Sequence, residues 1–320
     1  MRTTLVTGAR GQIGSDLVRT LRARHGAEAV LATDLQDDEA DTERARSAGP
    51  YERLDVTDAA RLADLVARYD VGTVYHLASL LSATGERKPD LAWEVNTGGL
   101  RHVLEAARAH GLRVFWPSSI AVFGPTTPDD APQRTVLEPT TIYGVTKVAG
   151  ELLCQYYHAR HGVDVRSLRY PGLISYSAPP GGGTTDYAVE IFYAALEGRP
   201  FTCFLEPETR LPMMYMPDAI RATLDLMDAE AERLTVRTSY NVGALSFSCE
   251  ELAEALRRRF PAFEVTYAPD FRQAIAASWP SSVDDAPARA DWGWQPAYDL
   301  DAMVDDMIAH LAEQRDYVNT

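Results

Sequence analysis

The chain has 320 residues, 46% of them hydrophobic and 24% charged, a balance that suits a globular protein with a sizeable core and excludes a disordered or fibrous one. A formal charge of -15 argues against nucleic acid or an anionic membrane as partner, because both would repel it. No apolar run reaches the roughly 20 residues of a membrane helix, and the N-terminus enters a strand pattern without a signal peptide, so the cytoplasm is the expected location. Cys154, Cys203 and Cys249 are odd in number and far apart, which suits neither a disulfide framework nor a zinc site. They read as small buried hydrophobes, and with the histidines scattered no metal is expected.

In chain order, short β-branched or apolar runs are predicted as strands at residues 3–7, 30–33, 53–56, 73–77, 114–117 and 165–170. Segments with a helical face lie between them, such as Ile13, Leu17 and Leu21, or Leu62, Leu65 and Val66. Repeated strand–helix units predict an α/β fold, a Rossmann doubly wound parallel sheet. After Tyr170 the texture changes to a Pro- and Gly-rich loop at 178–185, where a domain seam is placed. Further helices are predicted over 186–197 and from Asp218 after Pro217, and a strand near 264–267. The expected division is a nucleotide-binding domain over 1–172, rejoined by about 215–245, and a smaller, discontinuous C-terminal substrate-binding domain of 173–214 and 246–320.

The first strand runs into Gly8-Ala9-Arg10-Gly11-Gln12-Ile13-Gly14 and then a helix. Glycines there let backbone N–H groups approach a pyrophosphate at the positive end of a helix. The spacing G-x-x-G-x-x-G is one residue wider at its start than the common dinucleotide fingerprint. Asp34, ending the second strand 20 residues after Gly14, can accept both ribose hydroxyls and would repel a 2'-phosphate. With Leu35 and the acidic Asp37, Asp38, Glu39 and Asp41 following, NAD is preferred to NADP. Asp55 and Val56, and Leu77 and Ala78, fall at strand carboxyl ends, where ligands of open α/β sheets gather.

Tyr143 and Lys147 are four apart in a helical stretch and so share one face. A phenol is a poor base at neutral pH unless a cation stabilises its phenolate, and Lys147 can be that cation. Of the 31 basic residues only Lys88 and Lys147 are lysine, which makes this placement informative. A hydroxyl from Ser118-Ser119 at the preceding strand end could bind the same substrate oxygen.

The glycine turn, Asp34, Ser118-Ser119-Ile120-Ala121-Val122-Phe123-Gly124 and Tyr143-x-x-x-Lys147 together resemble the extended short-chain dehydrogenase/reductases. That resemblance implies a catalytic trio of Ser119, Tyr143 and Lys147, with Ser118 as the alternative serine, and further cofactor contacts from Gln12, Ile13, Asn96, Ser118 and Tyr170. Most extended members are nucleotide-sugar epimerases or dehydratases, and that activity is the alternative. Tyr170-Pro171-Gly172-Leu173-Ile174-Ser175 fits sugar enzymes poorly, having neither their Asn-rich segment nor the Pro-Arg that follows it.

Along nearly its full length the chain is more similar to the short-chain type of L-threonine 3-dehydrogenases. The stretches concerned are 80–84, 115–125, 169–175, 181–187, 212–216, 270–273 and 279–280. The resemblance implies NAD-dependent oxidation of the 3-hydroxyl of L-threonine by Tyr143 as base, and a homodimer formed through helices at about 96–110 and 143–160. Ser82, the backbone N–H groups of Gly181, Gly182 and Gly183, and the hydroxyls of Thr184 and Thr185 are candidates to hold the carboxylate, with Trp279 as a lid. Asp186 reads as the cap of the next helix, Met213, Met214 and Met216 as core, Tyr215 as a candidate pocket residue, and Trp292 and Trp294 as core.

Overall fold

The computed structural model describes residues 2–36, 49–177 and 183–318. Two compact units emerge, the first formed by 1–122, 141–169 and 223–240, the second by 123–140, 170–222 and 241–320. The excursion at 123–140, which chain order alone does not separate from the first unit, thus belongs to the second.

The first unit is built on strands β1 (Thr3–Thr7), β2 (Val30–Asp34), β3 (Tyr51–Arg53), β4 (Val71–His76), β5 (Arg113–Ser119), β6 (Val165–Tyr170) and, at its edge, β7 (Tyr240–Asn241). Their order across the sheet is β7-β6-β5-β4-β1-β2-β3, the Rossmann arrangement with its reversal between β1 and β4. The pairs β1–β2, β1–β4, β2–β3 and β4–β5 are parallel, with Thr7 opposite Thr33 on one side and His76 on the other. That register brings the ends of three strands level, so Gly8, Asp34 and Leu77 leave the sheet at one edge.

Consecutive strand residues Leu5 and Val6 are both fully buried, as expected of a parallel strand covered on both faces. On one face lie α2 (Ala59–Arg68), α5 (Gly99–His110) and α6 (Ile142–His161), whose Leu62, Leu65, Val103, Leu104 and Cys154 share a core with Leu5 and Val74. Helix α1 (Gln12–His25) packs against β1 and β2 and buries Leu17 and Leu21. Two short helices, α3 (Ser82–Arg87) and α4 (Pro89–Trp93), join β4 to α5.

The third strand stops earlier than its sequence predicts, at Arg53 and not Val56. Leu54 N–H still donates to the Asp34 carbonyl (2.8 Å), but the Asp55 carboxylate then accepts from both the N–H and the hydroxyl of Thr57 (2.9 and 2.7 Å), a local turn that ends strand pairing.

In the second unit the strands Gly172–Ile174, Arg210–Tyr215 and Leu245–Ser248 form a three-stranded sheet. Helices Tyr187–Glu197, Cys249–Arg257 and Leu300–Val318 pack around a core containing Phe192, Met213, Phe247, Leu252 and Met307. A reciprocal capping box between Ser248 and Glu251 starts the second of these helices. Cys203 and Cys249 are buried in this core, Met214 and Met216 are buried as well, and Trp294 is fully buried with Nε1 donating to the Gly243 carbonyl (2.9 Å). Tyr215 corrects the pocket expectation: it is fully buried, and its hydroxyl donates to Asp306 Oδ2 (2.6 Å). Among the described residues no helix is long and apolar enough to cross a membrane.

Candidate active site

The turn after β1 is shaped by sterics before chemistry. Gly8 has φ of +66°, and a Cβ there would lie 2.7 Å from the backbone nitrogen of Ala78, so the turn closes tightly against the end of β4. A Cβ on Gly14 would strike the carbonyl oxygen of Gly8. The backbone thus forms a cradle that side chains would fill, under a helix whose first turn, with Gln12 and Ile13, carries no acidic residue.

Beside the cradle is a cleft of about 640 Å³, lined by Gly8, Gly11, Asp34, Leu35, Asp55 and Val56, and continued by Leu77 to Leu80. Asp34 is set in advance: Oδ2 accepts from Arg10 N–H (3.0 Å) and Oδ1 from Leu35 N–H (2.8 Å). A glycine cradle at a helix start with a fixed carboxylate at the second strand end fits NAD, and the carboxylate opposes a 2'-phosphate. The acidic run from Asp37 to Asp41 lies outside the described residues.

At the floor of this edge, Thr7 Oγ1 is 2.8 Å from His76 Nδ1, and burial pulls the imidazole down to about 3, so it is neutral. Asn96 sits in a π-helical turn, Glu94–Gly98, ahead of α5. Its side-chain oxygen accepts from Leu80 N–H (2.8 Å) and Ser79 Oγ (3.1 Å), and its amide donates to Leu80 O and Thr146 Oγ1 (3.1 Å each). The side chain expected to contact cofactor is therefore committed to tying the loop after β4 onto α6.

Thr141 starts α6 by accepting from Gly144 N–H (3.1 Å), and Tyr143 and Lys147 follow one turn apart. Lys147 is buried; Nζ donates to the Pro117 carbonyl (2.7 Å) and lies 4.7 Å from the Trp116 ring centroid and 5.3 Å from that of Tyr143. The Ser119 hydroxyl hydrogen-bonds the Tyr143 phenol, while Ser118 Oγ donates to Glu151 Oε1 (2.7 Å). The two adjacent serines are thus separated by strand alternation: Ser119 faces the phenol, and Ser118, read as a cofactor contact, has its hydroxyl committed to a buried carboxylate.

Burial pushes Tyr143 up to about 12, with the Ser119 hydrogen bond working against it. Burial likewise pushes Lys147 down to about 7, opposed by Cys154 and Glu151. A phenol hydrogen-bonded by a hydroxyl, beside an ammonium that donates to a carbonyl and not to a carboxylate, can exchange a proton with a bound alcohol.

The remaining candidates divide between the units. Ser82 opens α3 and is half-buried in the first. In the second, Thr184 is buried and Thr185 half-buried, Trp279 packs partly buried against the core, and the Tyr170 hydroxyl donates to Ala219 O (3.4 Å). Gly183 N–H donates to Asp186 Oδ2 (2.7 Å). Asp186 stands at the N-cap position of helix Tyr187–Glu197 without a side-chain capping bond, because its backbone is helical (φ -65°, ψ -19°) and not extended. Gly181 and Gly182 lie outside the described residues. Sequence reading passed over Glu151 and Arg169, though a glutamate one turn after Lys147 and an arginine inside a buried strand were signals.

The sheet order, the glycine cradle and Asp34 define a Rossmann-type, dinucleotide-binding protein. The NAD dependent epimerase/dehydratase family matches over residues 4–243, and the chain belongs to that family. An uncharacterized epimerase/dehydratase of Staphylococcus aureus (strain USA300) is 49% identical over 320 residues, covering 99% of each chain. Among solved structures, the holo form of a GalE-like L-threonine dehydrogenase from Cupriavidus necator is 54% identical, covers 97% of this chain and 99% of its own, and superposes with a TM-score of 0.93. A monomeric L-threonine 3-dehydrogenase from a metagenome is 45% identical over 98% of this chain and 99% of its own, with a TM-score of 0.93.

Proposed function

We infer that this protein oxidises L-threonine at its 3-hydroxyl with NAD, producing 2-amino-3-oxobutanoate. The observation that carries the inference is full-length similarity, at 54% identity, to an L-threonine dehydrogenase. NAD, when bound at the glycine cradle and Asp34, would supply the hydride acceptor for the C3–H of the substrate. The protein's own residues handle the proton and the geometry: Tyr143, as phenolate, takes the hydroxyl proton, Ser119 hydrogen-bonds the reacting oxygen, and Lys147 stabilises the phenolate and holds the nicotinamide ribose. Ser82, Gly181, Thr184, Thr185 and Trp279 are the residues proposed for the amino-acid end of the substrate.

Purified protein given L-threonine and NAD is expected to generate NADH absorbance. With NADP in place of NAD, turnover at equal concentration is expected to fall at least about tenfold, since burying a phosphate against Asp34 costs on the order of the 1.4 kcal/mol that makes a factor of ten. Absence of NADH formation with threonine, combined with tight binding of a nucleotide sugar in calorimetry, would overturn the assignment.

We further propose a homodimer. On α6, Val145, Leu152 and Tyr156 fall on one stripe at the helical period and are 40, 58 and 53% exposed, and Trp93 on neighbouring α4 is 49% exposed. A second copy would cover this apolar stripe; the metagenome enzyme, by contrast, is monomeric. Light scattering at micromolar concentration is expected to give the mass of two chains, and Leu152→Glu with Tyr156→Glu to halve it; a wild-type monomer refutes the dimer. Cytoplasmic residence is proposed alongside, supported by three cysteines that are all free.

A further inference from the structure

Tyr143, Lys147 and Glu151 are spaced four apart along one face of α6, and three consecutive residues of β5 hold them. The Pro117 carbonyl accepts from Lys147 Nζ (2.7 Å), Ser118 Oγ donates to Glu151 Oε1 (2.7 Å), and the Ser119 hydroxyl meets the Tyr143 phenol. Glu151 is 1% exposed, and Arg169, at the end of β6, clasps it from the other side with Nε to Oε1 (2.8 Å) and Nη2 to Oε2 (2.7 Å). Next to Glu151, Gly150 lies so close to the Trp116 ring that a Cβ would overlap it, so α6 and β5 are pressed together at this turn. A buried ion pair costs desolvation that packed hydrophobic side chains would avoid, so its presence beside the acid–base residues calls for a reason other than stability.

We infer that Glu151, held by Arg169 and Ser118, is a positioning residue for the reaction, fixing the register of α6 on β5 and, through its charge one turn from Lys147, the protonation balance of the Tyr143–Lys147 pair. The inference rests on Tyr143 and Lys147 being the acid–base pair. Facing Lys147 are Tyr143, Glu151 and Cys154 from its own helix and His76 from β4, the last held neutral by burial. Arg169 reaches the cluster from β6 through Glu151, Glu86 of α3 accepts the Ile142 N–H at the helix start, and Glu105 of α5 bonds Tyr157 at the far end. One ammonium, one guanidinium and one carboxylate leave a single positive charge, which one phenolate neutralises. Removing the carboxylate takes away the charge that supports the Lys147 ammonium and eases loss of a proton from the Tyr143–Lys147 pair; removing the guanidinium leaves the carboxylate without its counter-charge and opposes that loss.

The test is the pH profile of kcat/KM for Glu151→Gln, Arg169→Met and the double variant. The acid limb is expected to move down by about one pH unit in Glu151→Gln and up by about one in Arg169→Met, with folding checked by thermal melting. The double variant, which removes both members of the ion pair and so leaves neither Glu151 nor Arg169 as an unpaired charge, is expected to keep the parental limb and the KM for NAD within about twofold, but to lose at least about tenfold in kcat, because the clasp that fixes the Glu151 turn of α6 on β5 and β6 is then gone. Limbs that stay put, or move together, in folded single variants overturn the inference. Should a lone buried charge prevent the single variants from folding, a double variant with parental kcat overturns it. Tyr143→Phe is measured alongside. Turnover retained there defeats the acid–base reading itself, whereas an inactive Tyr143→Phe with Glu151 variants that behave like the parent defeats this inference alone.

Discussion

Tyr143→Phe is expected to lower kcat for threonine oxidation by about 10²- to 10⁴-fold, the range that a positioned general acid–base group supplies. The phenol ring packs near the Lys147 ammonium and its hydroxyl is met by Ser119, so deleting one oxygen removes the proton acceptor while leaving the ring in place. NADH binding, followed by fluorescence titration, is therefore expected to stay within about threefold of the parent, since the cradle and Asp34 are untouched. Loss of NADH affinity in step with loss of kcat would instead mean that the residue serves the cofactor and not the proton.

Lys147→Met is expected to abolish measurable turnover and at the same time to stabilise the protein at pH 6. The sign follows from the titration. The folded-state ammonium is pushed down to about 7 by burial, whereas an unfolded lysine titrates near 10.5. Between those values the unfolded chain binds the proton and the folded chain does not, so wild-type stability rises with pH across this window and the cost of burying the charge is borne in full below about pH 7. A methionine of similar length carries no such cost. The variant is expected to exceed the wild type by roughly 2 to 5 kcal/mol at pH 6, partly offset by the lost bond to Pro117, with the advantage shrinking toward pH 10. Denaturant melts at pH 6 and pH 9 measure it; an advantage that grows with pH would show that the lysine is not buried as a charge. A cation kept where it destabilises the fold is the ordinary mark of a residue retained for chemistry.

Much of this architecture could be read directly from local pattern. Strands at residues 3–7 and 165–170 are where the apolar runs put them, and Tyr143 and Lys147 lie on one helix, as their spacing predicts. The third strand was less legible, because its end depends on a side chain, Asp55, turning back onto Thr57. Tyr215 was not legible as core: its fate depends on Asp306, 91 residues away, accepting its hydroxyl. Asp186 stands at the cap position by sequence, but its backbone angles direct the carboxylate to Gly183.

Sequence by itself determined the parts whose logic spans a few residues: glycines where a Cβ would block the turn, an aspartate at a strand end, and a tyrosine and lysine one helical turn apart. These are set by sterics and by the 3.6-residue period, which local order specifies fully. Tertiary structure alone decided that Ser118 turns to Glu151, that Asn96 spends its amide on Leu80 and Thr146, and that Glu151 finds Arg169. Each of those depends on where β4, β5, β6 and α6 come to lie beside one another, and partners brought together by sheet order leave no spacing in the chain to read.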